Sequence, residues 1–228
     1  MKHLVDHGAN INKTDYDGET PLFKACEDES KAIVKYLVEH GADINKENKY
    51  CQTPLFYACK NGNEPIVKYL VEHGADINKE NKCNQTPLIK AYKNGNEALV
   101  KYLVEHGADI NKENKKSETP IFYTCRNGNE DIIKYLVEHG ADINKENKDG
   151  ETPLICACSY NEIFSLSPQK QNKIEKIVKY LVEHGADINK ENGNGETPLF
   201  RACSNGNEAI IKYLVEHGAD VNKKNNMV

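Results

Sequence analysis

Nowhere does this 228-residue chain approach the roughly 18 to 20 consecutive apolar residues that a membrane-spanning helix requires. Its opening, Met1-Lys2-His3-Leu4-Val5-Asp6, lacks the apolar core of a secretory signal. Both absences lead to the expectation of a soluble intracellular protein, in the cytoplasm. Arginine is almost missing: of 30 basic residues only Arg126 and Arg201 carry a guanidinium. An excess of positive charge is missing too. The formal charge is −5, which argues against generic nucleic-acid binding.

The signatures of catalysis are also absent. No Cys has a His and an acid at motif spacing, no Gly-rich loop is present to cradle phosphate, and no Ser sits in a nucleophile elbow. The chain therefore reads as a non-enzyme, with no catalytic residue and no cofactor expected. Metal binding fails on spacing. Seven of the eight His fall in a recurring His-Gly pair, at His7, His40, His73, His106, His139, His184 and His217. Rows of equivalent residues on packed helices lie about 8–10 Å apart and cannot converge on one ion, whose ligands lie about 2 Å from it. A His at a helix C-terminus is favoured by the dipole in any case.

What the chain does have is repetition. The stretch IVKYLVEHGADINKEN recurs almost unchanged, and a Thr-Pro pair follows at Thr20, Thr53, Thr86, Thr119, Thr152 and Thr197. The spacing is 33 residues throughout, except for a 12-residue insertion before the last pair. A fixed period of this size marks small units that cannot bury their apolar faces alone and must stack.

One unit can be read from Asn48 to Glu80. Thr53 has the chemistry of a helix N-cap, and Pro54 follows where a missing N–H costs nothing. Leu55, Phe56, Ala58 and Cys59 make the apolar face of a short first helix. Asn61-Gly62-Asn63 breaks it, with Gly62 ending one helix and Asn63 starting the next. Ile66, Val67, Tyr69, Leu70 and Val71 then recur at the spacing of an inward stripe, and His73-Gly74 ends the second helix. Tyr36, Tyr69, Tyr102, Tyr135, Tyr180 and Tyr213 share one second-helix position and read as packing residues. Cys26, Cys59, Cys125, Cys158 and Cys203 share a first-helix position that Tyr92 takes in the third unit. At about 8–10 Å between neighbours they are too far apart for disulfides and read as small buried thiols.

These motifs resemble the ankyrin repeat: Asp15-Tyr16-Asp17-Gly18-Glu19-Thr20-Pro21-Leu22-Phe23 matches its turn and first helix, and Gly41-Ala42-Asp43-Ile44-Asn45 its exit. The resemblance covers essentially the whole chain. It implies an all-α solenoid with β-hairpin turns, an array of six full 33-residue units, one carrying the 12-residue insertion, plus an N-terminal half repeat. The expected boundaries are a partial repeat at 1–11, repeats at 12–44, 45–77, 78–110, 111–143, 144–188 and 189–221, and a tail at 222–228. Two departures stand out. The family's His after Thr-Pro-Leu is replaced by Phe23, Phe56, Ile89, Phe122, Ile155 and Phe200. The turn Gly survives as Gly18, Gly150 and Gly195 but becomes Cys51, Asn84 and Ser117 in the middle units, where a left-handed backbone would strain Cys51 and Ser117 most.

By the same resemblance, the hairpins and first helices line a concave binding face, and the chain is expected to be a protein–protein interaction scaffold. Mapping the family's contact positions gives Tyr16, Lys49, Tyr50, Tyr57, Lys60, Lys82, Lys90, Lys93, Lys115, Lys116, Tyr123 and Arg126. The expected partner is a protein presenting an acidic patch to repeats two to four, beside an acidic shoulder at Asp17, Glu19, Glu27 and Asp28. Alternatives are a receptor for an anionic small molecule or oligonucleotide in the same basic groove, and a regulatory or adaptor arm of a larger protein. Neither end carries the polar outer face of a capping repeat, so a longer array or end-to-end self-association is also expected. Within the insertion, Ser167-Pro168 should start a lengthened second helix. Tyr160, Ile163, Phe164 and Leu166 there either pack on that helix or form a secondary docking knob.

Overall fold

Each Thr-Pro pair starts a helix, because Thr takes an extended backbone and Pro supplies the first helical φ. The computed structural model describes residues 7–159 and 168–223. The chain divides into two compact units, residues 1–109 and 110–228. In the first unit lie α1 (Pro21–Glu27), α2 (Lys31–Glu39), α3 (Pro54–Asn61), α4 (Glu64–Glu72), α5 (Pro87–Asn94) and α6 (Glu97–Glu105). The second holds α7 (Pro120–Asn127), α8 (Glu130–Glu138), α9 (Pro153–Cys158), α10 (Pro168–Glu183), α11 (Pro198–Ser204) and α12 (Glu208–Glu216). In each unit the odd-numbered first helices stack on one another, as do the even-numbered second helices. Leu22, Phe23, Leu37, Leu55, Phe56, Leu70, Leu88 and Ile89 fill the space between the layers of the first unit and are buried.

The caps are more varied than the sequence implies. Asn63, Asn96, Asn129 and Asn207 each accept the N–H three residues on and so start α4, α6, α8 and α12. Thr86, Thr152 and Thr197 do the same for first helices, but Thr53, like Thr20 and Thr119, makes no side-chain cap bond. Thr53 is thus an N-cap by backbone conformation only, and Pro54 carries the helix start. Gly62 sits at φ 73° as the C-cap of α3, while the first unit's α1–α2 turn puts Glu29 at φ 56° instead.

The second helices end on a device invisible in the apolar pattern. In all six, the terminal His places Nδ1 2.7–2.8 Å from the carbonyl of the Tyr four residues earlier. Its imidazole lies 3.8–4.0 Å from that Tyr ring, centroid to centroid. The recurring Tyr is therefore a platform for its own helix's cap as well as a packing residue.

Repeats within a unit are bolted together by the Asn of Ala-Asp-Ile-Asn. Asn45 donates Nδ2 to the Gly74 carbonyl at 2.9 Å and accepts the Asp76 N–H at 2.8 Å. Asn12 and Asn78 repeat this in the first unit, and Asn111, Asn144 and Asn189 in the second. Two backbone groups of the next repeat would lose their partner in Asn45→Ala. We expect a loss of about 2 kcal/mol in urea unfolding, with amide exchange at Asp76 accelerated; an unchanged midpoint would mean water replaces the side chain without cost.

The turns expected as β-hairpins are hairpin turns without strands: no strand occurs among the described residues. The first finger is closed from inside by Asp15 and each later one by its Asn. Asn48 Oδ1 accepts from the N–H groups of Tyr50 and Gln52 at 2.9 and 3.0 Å. Adjacent fingers share a backbone bond, Lys49 N–H to the Asp17 carbonyl at 2.8 Å and Lys82 N–H to that of Tyr50 at 2.9 Å, too few for a ladder. Cys51, Asn84 and Ser117 adopt φ of 55°, 53° and 57°, as their alignment with Gly18 requires.

The inserted segment lengthens α10 to 16 residues against 9 in α8 and α12, and it starts at Pro168. Tyr160, Ile163, Phe164 and Leu166 lie outside the described residues, as do residues 1–6 of the half repeat. One expectation needs correcting. Cys26, Cys59, Cys125 and Cys158 are buried, but Cys203 is exposed, because α11 is last in its row and no described helix closes the slot beyond it.

Candidate functional site

The fingers and first helices of the first unit bring together most of the residues singled out in the sequence. Tyr16, 86% exposed, stands on the first finger with the Lys49 ammonium 3.5 Å from its ring centroid. Tyr50, 55% exposed, stands on the next, held in register by the backbone bonds between fingers. Behind the fingers, α3 and α5 pack side by side and carry Lys60, Lys90 and Lys93, of which Lys60 and Lys93 are exposed and Lys90 half-buried.

Lys90 donates to Gln85 Oε1 at 2.9 Å, a neutral acceptor that orients the ammonium without cancelling its charge. Burial, and then repulsion from Lys93 and Lys60, push its pKa below the ordinary lysine value against the opposing influence of Cys83. Like charge is thus concentrated across α3 and α5. Tyr57, between the fingers and Lys60, is committed elsewhere. Its hydroxyl donates to the Glu19 carboxylate, which also accepts Asn48 Nδ2 at 2.9 Å. The acidic shoulder is partly neutralised as well, since Lys24 reaches Glu27 at 2.6 Å and Asp28 at 3.4 Å.

The corresponding face of the second unit is internally compensated. Tyr123 is only 9% exposed, and Asn114 Nδ2 donates to its hydroxyl oxygen at 2.7 Å, so its ring supports the finger from inside. Arg126 pairs with Glu118, whose side chain is 6% exposed. Burial pushes the Glu118 carboxyl up, but hydrogen bonds from Arg126 and Asn114, with the Arg126 charge, outweigh it and hold the pKa below the usual range. Arg201 is shared between Glu196 at 2.8 Å and Glu151 at 3.3 Å. Lys115 and Lys116 remain exposed on their finger. Sequence reasoning missed that the residue before Thr-Pro sets the charge of the helix behind it. The signal lies across the copies: Gln85 accompanies Lys90, whereas Glu118 and Glu196 accompany Arg126 and Arg201.

The buried thiols are poor nucleophiles. Burial pushes Cys26 and Cys156 up to about 12 and Cys59 and Cys158 upward as well, so at neutral pH they are uncharged packing groups. No helix among the described residues is long and apolar enough to cross a membrane.

No curated protein matches the chain. Among solved structures, the crystal structure of the human ASB11 ankyrin repeat domain superposes with a TM-score of 0.79 at 25% identity, covering 96% of this chain and 92% of that one. A family profile described as ankyrin repeats (3 copies) matches residues 1–81, 47–114, 77–147, 107–167 and 144–225. With helix pairs, glycine-ended second helices and asparagine-bolted turns recurring in both units, the chain belongs to the ankyrin repeat family.

Proposed function

We propose that this chain is a non-enzymatic interaction scaffold whose first unit docks a protein presenting an acidic surface. Ankyrin repeats are protein–protein interaction modules, and the fold is typically a scaffold. The single observation that carries the acidic partner is the cluster of Lys60, Lys90 and Lys93 on α3 and α5, with Lys90 held by neutral Gln85. Lys49, Lys82, Tyr16 and Tyr50 extend that surface over the fingers, where rigid aromatic area costs little entropy to immobilise. The second unit contributes less net charge because its two arginines are already satisfied by Glu118, Glu151 and Glu196. The eight cysteines stand as free thiols, which suits a reducing intracellular compartment.

The test is capture from native lysate by the intact chain beside Lys60→Glu/Lys90→Glu/Lys93→Glu, with crosslinks mapped by mass spectrometry. Expected are partners that crosslink through Asp/Glu-rich segments and lose at least about tenfold in affinity to the variant, since like-charge juxtaposition suppresses binding. Retention of the same partners by a folded variant would sink the proposal.

A further inference from the structure

We propose that the cleft between the second helices α2 and α4 binds a small phosphate monoester, with its phosphate held by Lys31 and Lys35. The cleft encloses about 340 Å³ and is lined from α2 by Lys31 and Lys35, and from α4 by Lys68, Tyr69 and two glutamates. That volume suits a small ligand. Its charges do not balance. Lys68 is taken by Glu64 at 2.6 Å, which leaves Glu72 against the ammonium groups of Lys31 and Lys35. Neither of those two forms an ion pair with a described residue. The cause is one position in the sequence. In α4, α6, α8, α10 and α12 a glutamate (Glu64, Glu97, Glu130, Glu175 or Glu208) stands four residues before the lysine equivalent to Lys35, and α2 has Lys31 there. A cation thus opens α2, at the end where the helix dipole favours an anion.

The wall between the lysines carries an unused donor. Tyr69 is 8% exposed, and its hydroxyl has no hydrogen-bond partner. Burial, and then Glu39, push its pKa upward, so it keeps its proton at neutral pH. The Lys35 ammonium rests 5.4 Å from the centroid of that ring. The next groove has the same arrangement already neutralised: Lys68 lies 5.3 Å from the Tyr102 ring but is held by Glu64. A phosphate between Lys31 and Lys35 takes charge-assisted hydrogen bonds from both, and it draws Lys35 off the ring that covers the Tyr69 hydroxyl. Glu72, two turns along α4 from Glu64, accepts from hydroxyl groups on the ester arm and repels a second anionic group. That selects a hydroxylated monoester over a bisphosphate. The site goes beyond the docking reading and is independent of it, because the docking residues lie on the fingers and first helices.

The experiment titrates the full chain with glycerol 3-phosphate and follows its backbone amides by NMR, with glycerol and inorganic phosphate as controls. Expected are saturable shifts centred on residues 31–35 and 64–72, weaker binding of inorganic phosphate and none of glycerol. Lys31→Glu copies the other second helices and gives Lys35 the partner found four residues before its equivalents, so the fold should persist. Affinity should fall at least about tenfold, the low end for losing a hydrogen bond to a charged group. Tyr69→Phe, which removes only the hydroxyl, should cause a smaller loss. Shifts that grow without saturating, that centre on Lys60, Lys90 and Lys93, or that persist unchanged in Lys31→Glu overturn the site. Equal affinity for inorganic phosphate overturns the monoester class, and full affinity in Tyr69→Phe overturns the role of the hydroxyl.

Discussion

Tyr92→Cys, which would make the third repeat match the other five at this position, is expected to destabilise the first unit by about 3 kcal/mol. Consensus substitutions in repeat proteins usually stabilise, so the sign of this prediction is its content. Tyr92 is 1% exposed and among the largest fully buried side chains. Cys26 and Cys59 occupy the same position on α1 and α3 and are completely covered, so the slots there are already closed around a thiol. The slot behind α5 is instead filled by a ring. Removing most of that ring forfeits its burial and leaves a void that the stacked helices close only in part, at roughly 24 cal/mol per Å³ of residual cavity. The measurement is the urea midpoint at unchanged m-value. A variant as stable as the parent would mean that α5 settles onto its neighbours and erases the cavity.

Much of this fold was legible because each unit repeats the same local instructions. Pro54 after an extended Thr53, Gly62 and Gly74 at the helix ends and the apolar stripe through Ile66, Val67 and Leu70 act over a few residues. Six copies let chance matches be discounted. The strained φ of Cys51, Asn84 and Ser117 could be read by aligning them with Gly18. What could not be read depends on pairs far apart in sequence. Tyr123 and Arg126 looked like contact residues because their positions face outward in a generic repeat. Asn114 and Glu118 withdraw them, through bonds that involve the finger and the helix together. The Asn45 bridge spans 29 residues to Gly74, and its repetition is uninformative until the next repeat is in place. The helix dipole favours a His at each helix end and is compatible with Nδ1 meeting a carbonyl, but the stacking on Tyr depends on the packed geometry. Cys203 departs from the expected burial for a different reason: its cover depends on what stacks next, which its own repeat cannot specify.

Gly150→Ala should cost about 3 kcal/mol in the second unit, against about 1 kcal/mol for Gly74→Ala, although both glycines have positive φ. Gly74 lies at φ 89° with nothing within 4 Å of where a Cβ would stand, so only backbone strain is added. Gly150 lies at φ 72°, and its Cβ would come 2.8 Å from the Gly193 nitrogen and 3.2 Å from the Asn192 carbonyl carbon, both backbone atoms that cannot rotate away. The equivalent contact at Gly18 is 3.3 Å, to the nitrogen of Lys49. The closer approach at Gly150 coincides with glycine on both sides, since Gly193 takes the place held by Lys49, Lys82, Lys115 and Lys148 in the earlier fingers. The two backbones are joined by Gly193 N–H to the Asp149 carbonyl at 2.8 Å, and a methyl group at Gly150 must lengthen or break that bond. The loss should therefore appear first as faster exchange of the Gly193 amide, before the helices of the second unit unfold. If Gly150→Ala and Gly74→Ala prove equally mild, the fingers yield to a methyl group and their close contact stores no stability.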